Sequence, residues 1–358
     1  MPQILTPLKR RPETVRAAWL MGKALNHYAP RYLSEIAGTD ERPTDRVRPP
    51  PPTEHASTGR KRFDPNELRS GGFTVYHPVM TAEDVTDFGN VDFVADPFLY
   101  PDGERWHMFF EVFNGDREPD AVIAHATSRD GFDWEYQGVV LATEQHLSFP
   151  YVFDWEGQQY MVPETGGADD QTVELYEAVD FPTEWRRCAV PVSRDHGTDD
   201  AVVFRWDDTW WMLVGDDAID GTHLYWSDGL RRDDWNPHPE NPVVVDRPTA
   251  ARPAGRPVVT DERVVVFYQD CENLYGERVH AYELTSLDRE SFSDRELSAS
   301  PVFEGTGAHL GWNAGRMHHV DPWYVDGRWF CAVDGNVNYP NVFTNEHWSI
   351  GVHVSAKR

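Results

Sequence analysis

The chain has little positive charge and few lysines. Only four of its 33 basic residues are lysines, and they face 60 acidic residues, leaving a formal net charge of -27 over 358 residues. So little cationic surface argues against nucleic acid or anionic membrane as the main partner, because both are held by positive faces. Cysteine is scarce too, with only Cys188, Cys271 and Cys331. An odd number in no CxxC or Cys/His spacing supports neither a disulfide framework nor a zinc site. No run of 18 apolar residues exists, so no transmembrane segment is expected. The first residues also lack a continuous apolar stretch with a cleavage site. The expected address is the cytoplasm, peripheral at a membrane at most. Glycine-rich phosphate loops and a GxSxG elbow are missing, and the His318–His319 doublet is not a zinc spacing.

What is present is acid and aromatic surface, the aromatics making up 13% of the residues. A lysine-poor, acid-rich surface on such a chain reads as halophilic adaptation, of the haloarchaeal kind, in which salt screens the self-repulsion. The charge is uneven. Residues 1–70 hold 13 Lys/Arg against 8 Asp/Glu, a net +5, while residues 71–358 hold 20 against 52, a net -32. In "PETVRAAWLMGKALNHYAPRYLSEI", Ala18, Met21, Leu25, Tyr28, Tyr32 and Ile36 recur at helical spacing. A short helical N-terminal extension is therefore expected over 1–47, with Pro30 kinking it. It either packs on the body or, through residues 12–36, docks on a membrane surface or a protein. A Pro-rich, polar linker is expected over 48–70.

From residue 71 one element recurs. It reads "VADPFLYPDGERWHMFFE" at 94, "SFPYVFDWEGQQYMVPE" at 148 and "DAVVFRWDDTWWMLVGD" at 200, then "AGRPVVTDERVVVFYQD" at 254 and "VDPWYVDGRWFCAVDG" at 320. The interval is roughly fifty residues, the spacing of propeller blades. Four of the copies continue into a second half with an alternating strand, a polar turn and an outer strand. The reading is an all-β, five-bladed β-propeller over 71–358. The last copy is one outer strand short, and "GGFTVYHPV" at 71–79 is expected to supply it and close the ring. A two-sheet sandwich is the alternative, but it leaves the periodic hairpins unexplained.

In a propeller the start of each innermost strand and the end of the second meet at one face. The starts offer Asp96, Ser148, Asp200, Arg252 and Asp321, and the ends offer Glu111, Glu164, Asp216, Gln269 and Asp334. Neighbouring connections add His146, Asp270, Tyr275, His309 and His319. Crowded carboxylates are costly unless they are hydrogen-bonded, protonated, metal-bound or functional. Glycoside cleavage needs such a pair in unlike environments, one ionised and one kept protonated. Taken singly, Asp96 and Asp321 in their Asp-Pro steps also fit turn caps. Trp106, Tyr151, Trp312 and Trp323 would suit stacking on sugars, or belong to the core. An axial ion such as calcium is not specified by any pattern, and no cofactor is expected.

The motifs "ADPFLY", "HLSFPYVF", "VPET", "LYEAVDFPTEW", "HPENPV", "ARPAGR", "YQDCENLYG" and "GAHLGW" together resemble a known family. It is the five-bladed propeller domain found beside glucosamine inositolphosphorylceramide glycosyltransferases, and the similarity covers about residues 85–335. More distantly the chain is similar to the glycosidases of families 43, 32 and 68, which use a first-blade Asp and a third-blade Glu. That resemblance implies Asp96 as base or nucleophile. Blade two carries Ser148 and Phe149 where those enzymes usually have a second Asp, and blade three begins with Asp199 and Asp200 instead of Glu. Glu164, in the PET motif of the nearer family, is then the expected acid, with Asp200 second.

Three functions remain open on this reading. The first is an enzyme acting at a glycosidic bond, with Asp96, Glu164 and Asp200 catalytic. Glu111, His146, Arg252, Gln269, Asp270, Tyr275, His309, His319 and Asp321 would then bind the substrate. The second is a non-catalytic carbohydrate-binding scaffold in glycolipid or surface-glycan assembly. The third is an interaction hub with solvated rim acids. The expected ligand is a carbohydrate or glycolipid.

Overall fold

The computed structural model describes residues 46–52, 67, 73–75, 77–166, 171–307, 311–337 and 348–356. The expected helix over 12–36, most of the expected linker and His309 lie outside the described residues.

The first strand, β1 (Phe73–Val75), stands apart from those that follow it in sequence. Blade one is β2 (Phe93–Pro101), β3 (Trp106–Phe113), β4 (Ala121–Ser128) and β5 (Trp134–Leu141). Blade two is β6 (His146–Trp155), β7 (Gln158–Gly166), β8 (Gln171–Asp180) and β9 (Glu184–Arg194). Blade three is β10 (Asp199–Trp206), β11 (Thr209–Asp216), β12 (Gly221–Ser227) and β13 (Asn236–Pro237). Blade four has its inner strand split into β14 (Arg252–Pro253) and β15 (Val258–Val259). It continues with β16 (Val264–Gln269), β17 (Arg278–Leu287), β18 (Phe292–Glu296) and a short β19 (Phe303–Glu304). Blade five holds β20 (Val320–Val325), β21 (Arg328–Asn336) and β22 (Trp348–Ser355). Five separate antiparallel sheets result, as a propeller requires and a sandwich does not.

The sequence shows why. Inner strands are covered on both faces, so β2 is buried along all but its first residue and reads apolar nearly throughout. The outer β5 alternates half-buried with exposed residues over most of its length, like a sheet edge facing water. Two-residue hairpins of type I′ need positive φ at both turn positions. Glu156–Gly157 (φ 53 and 76), Asp207–Asp208 (48 and 57) and Asp326–Gly327 (51 and 81) supply it.

The ring closes as the missing strand demanded. β1 pairs antiparallel with β22, Phe73 opposite Ser355 and Val75 opposite His353, so blade five takes its outer strand from the opposite end of the chain. A second tie was not anticipated. Val47 is completely buried in the core shared by blades one and five. Its nitrogen donates to Asp130 O at 2.9 Å, its carbonyl accepts from Trp106 Nε1 at 2.8 Å, and Arg328 donates to Arg46 O at 2.9 Å. Residues 46–47 thus lie across the seam between the first and last blades.

Below the mouth, one buried ion pair crosses the centre. Arg256 of blade four pairs through Nε with Asp321 of blade five. Its Nη2 donates to Leu99 O of blade one at 3.1 Å and to Val152 O of blade two at 2.9 Å. Asp321 also accepts from Leu99 N at 2.7 Å and Trp323 Nε1 at 2.9 Å. Trp106, Tyr151, Trp312 and Trp323 are all buried, so the four aromatics considered for sugar stacking are core residues.

Candidate active site

Strand register builds the mouth. At one end of the blades the pairs are Ala95 opposite Glu111, Ser148 opposite Glu164, Arg252 opposite Gln269 and Val320 opposite Val333. In blades one, two and three a β-bulge follows at once, between Ala95 and Phe98, Ser148 and Tyr151, and Asp199 and Val202. The bulged residues Asp96, Phe149 and Asp200 have φ of 53, 45 and 45. A bulge re-aims its side chain, and Asp adopts positive φ more readily than most residues. The equivalent of Asp96 in blade two is therefore Phe149, not Ser148. Its ring packs edge-on to Phe98 at 4.9 Å and to His319 at 5.4 Å, an apolar plug where blades one and three bring acids.

Blade five is unbulged, and this corrects the expected place of Asp321. Asp321 pairs with Ala332 further down the strand, and both its oxygens are engaged at the central Arg256 knot. The mouth position of blade five belongs to His318 and His319 instead. Asp270 is tied within its own blade, 3.4 Å from Arg278 Nε and accepting from Glu272 N at 3.1 Å. Asp216, at the end of β11, turns to Arg194 at 3.0 Å and to His196 and His223 at 3.2 Å.

The remaining groups form two lobes. In one, Arg252 donates from Nη2 to Glu164 at 2.9 Å, from Nη1 to Asp217 at 2.8 Å, and from Nε to Asp200. Asp199 lies 3.8 Å from Nη1. Gln269 Nε2 donates to Asp200 at 2.7 Å, and Asp200 N donates to Glu164 Oε2 at 2.8 Å. Tyr275 roofs this lobe, its ring 5.4 Å from the Arg252 guanidinium and 5.4 Å from the His318 ring, while remaining 41% exposed. In the other lobe, His318 Nδ1 lies 2.7 Å from Asp334 and Nε2 3.8 Å from Asp96. Asp334 also accepts from Asp96 N at 3.2 Å and from the His318 and His319 nitrogens at 3.1 Å each. His146 is held between Asp120 at 2.9 Å and Glu111 at 3.6 Å.

The electrostatics of the Glu164 and Asp96 carboxyls differ. Burial would raise the Glu164 carboxyl, but Arg252 and the Asp200 amide outweigh it and hold Glu164 below the ordinary range, hence ionised. As base or nucleophile, Asp96 was expected to stay ionised, held by hydrogen bonds or by a cation such as Arg252. Burial instead lifts it to about 6; His318 lowers it, while Asp334 and Glu164 push it up. Among the described residues the basic groups nearest its carboxylate are His319 Nδ1 at 3.7 Å and His318 Nε2 at 3.8 Å, both beyond hydrogen-bonding distance. Glu111 rises to about 8, again by burial, and Asp199 to about 7. For His146 burial works downward, but Asp120 and Glu111 overcome it and raise the imidazole to about 9. His319, fully buried with Nε2 at 3.0 Å from Pro97 O, falls to about 3 and is neutral.

Asp120, Asp217 and His318 were missed as site residues. The His-His doublet was visible in the sequence; the two aspartates lie past strand ends, where no pattern marks them. Asp96, His318 and Asp334 offer ligand atoms within 4.8 Å of one another, the one such group found among the described residues. The His318–Asp334 contact balances charge there within the protein.

Comparison with known proteins fits this architecture. The chain is 30% identical over 276 residues to glucosamine inositolphosphorylceramide transferase 1 of Oryza sativa subsp. japonica, covering 75% of this chain and 36% of that protein. It is 30% identical over 275 residues to the Arabidopsis thaliana protein of the same name, covering 35% of it. The chain thus spans about a third of the length of these curated relatives. Among solved structures it superposes on the catalytic domain of a GH62 alpha-L-arabinofuranosidase from Coprinopsis cinerea with a TM-score of 0.60. Identity there is 13%, with 82% of this chain and 98% of that one covered. A thermostable family-43 glycoside hydrolase gives 0.53 at 14% identity, covering 73% and 88%. At such identities the likeness establishes the fold. The profile of glucosamine inositolphosphorylceramide transferase 1, N-terminal, matches residues 61–336, and the chain belongs to that family.

Proposed function

We propose that the mouth of this propeller acts at a glycosidic bond of a carbohydrate or glycolipid, with Asp96 as proton donor and Glu164 as the ionised partner. One observation carries the reading. Two carboxyls from neighbouring blades share one mouth, yet Glu164 is held by a guanidinium and a backbone amide, whereas Asp96 has no such donor among the described residues. Unlike environments for two carboxyls are what acid-assisted glycoside cleavage uses. Protonated Asp96 would deliver its proton to the departing glycosidic oxygen, while Glu164 would meet the developing positive charge at the sugar. Gln269 and Arg252 fix the Glu164 lobe, and the exposed face of Tyr275 offers a surface for a sugar ring.

A second reading is that the propeller binds carbohydrate without turning it over. The engagement of Glu164 Oε2 by both Arg252 and the Asp200 amide, and the shared third of the relatives' length, favour it. The relatives' name points to glycosylated inositolphosphoryl lipids as first ligands to try, alongside simple aryl glycosides. Wild type, Asp96→Asn and Glu164→Gln are compared for sugar release and for sugar binding. Turnover in wild type that both variants lose supports the catalytic reading. Binding without turnover in all three supports the module, and neither in any of them would falsify the carbohydrate reading.

A further inference from the structure

Among the described residues, the cations that face the mouth acids, Arg252, His146 and His318, are each already committed to carboxylates. All three nitrogens of Arg252 donate to carboxylates, and its plane is roofed by Tyr275. Four acids, Glu164, Asp199, Asp200 and Asp217, face this single positive charge. His146 is spent on Asp120 and Glu111, and His318 on Asp334. A phosphate or carboxylate is normally taken by an open guanidinium fork or a free cation, and it is repelled where acids outnumber the cations nearby. Asp217, with its side chain 55% exposed, and Asp199, at 24%, stand on the open side of the guanidinium, the route an anion would take to it.

We infer that the mouth selects against anionic ligand groups, and that Asp199 and Asp217 are the residues that set this specificity. The sugar unit that enters is uncharged or positively charged. A phosphate or uronate belonging to a larger ligand stays outside. The inference rests on the carbohydrate reading only for the identity of the entering unit, because the charge arrangement stands without it.

The test uses inorganic phosphate and the pair methyl glucoside and methyl glucuronide, titrated calorimetrically at low ionic strength and about pH 8, above the Asp199 value of about 7 so that its carboxyl carries charge. The proteins are wild type, Asp217→Asn, the Asp199→Asn/Asp217→Asn double variant, and the double variant with Arg252→Gln, each checked for folding by melting. Wild type is expected to show no saturable phosphate binding. The double variant uncovers Arg252 and should bind phosphate at least about tenfold more tightly, a change of about 1.4 kcal/mol. Arg252→Gln should abolish that gain. Should the triple variant not fold, Asp217→Asn alone carries the comparison, with a smaller gain in the same direction. In wild type the glucoside should outbind the glucuronide, and the gap should narrow in the double variant. Phosphate binding by wild type, or a folded double variant that gains none, overturns the inference. If phosphate behaves as stated and no sugar binds, the carbohydrate reading fails and the charge selectivity survives.

Discussion

Asp96 sits at positive φ on a bulge, buried and with no donor to its carboxylate among the described residues, an arrangement that costs stability once the group ionises. Its folded value of about 6 lies above the unfolded value near 3.8. Its favourable contribution is therefore complete below the unfolded value and is lost as pH rises through about 6. Asp96→Asn removes that cost, so the variant should melt no lower than wild type at pH 5 and higher at pH 8. A variant that melts lower at both pH values would show instead a carboxylate that caps its turn. The same titration fixes the direction of the rate profile. If Asp96 donates the proton, kcat/KM falls as pH rises past about 6. A rate that climbs through that value would return Asp96 to the role of base. The "ADPF" step made this residue legible, because bulge, proline and acid are consecutive. The charge state was not legible, because Arg252 reaches Glu164 and Asp200 in other blades, and such long-range pairings leave no local pattern.

The hairpins were readable for the opposite reason, since their turn chemistry is written in adjacent residues such as Asp326–Gly327. Closure by β1 was readable as an arithmetic gap, one outer strand missing from blade five. The tie at residues 46–47 was not, because one valine in a Pro-rich run carries no periodicity. Its contribution can be measured. Burying a valine is worth about 1.5–3 kcal/mol, and losing Val47 O would leave Trp106 Nε1 without that acceptor. A chain beginning at residue 53 should therefore melt several degrees below one beginning at residue 46, at about 2–4 °C per kcal/mol for a domain approaching this size. Identical midpoints would reduce the seam contact to decoration. The central knot makes a stronger claim. Arg256→Met leaves the Asp321 charge buried and unpaired, which typically costs about 3–5 kcal/mol.

For the whole molecule the dominant quantity is charge. With -32 on residues 71–358 and few cations to offset it, the melting midpoint is expected to climb steadily from low to molar KCl. A flat midpoint would remove the case for salt adaptation. The fold itself was legible in the sequence, because five copies of one hairpin at near-constant spacing admit few architectures. What it does was legible only as a rim of acids, since acid and base differ by surroundings that the ring assembles from distant segments.

That assembly has a consequence for how the protein is made. Blade five joins residues 73–75 to residues 353–355, and the mouth draws Asp96, Glu164, Asp200, Arg252 and His318 from five different blades. During synthesis four complete sheets must wait, with the first and fourth presenting open flanks, until the final strand leaves the ribosome. A chain cut before β22 would carry every one of these mouth residues yet have no strand to join the first and last segments of the ring.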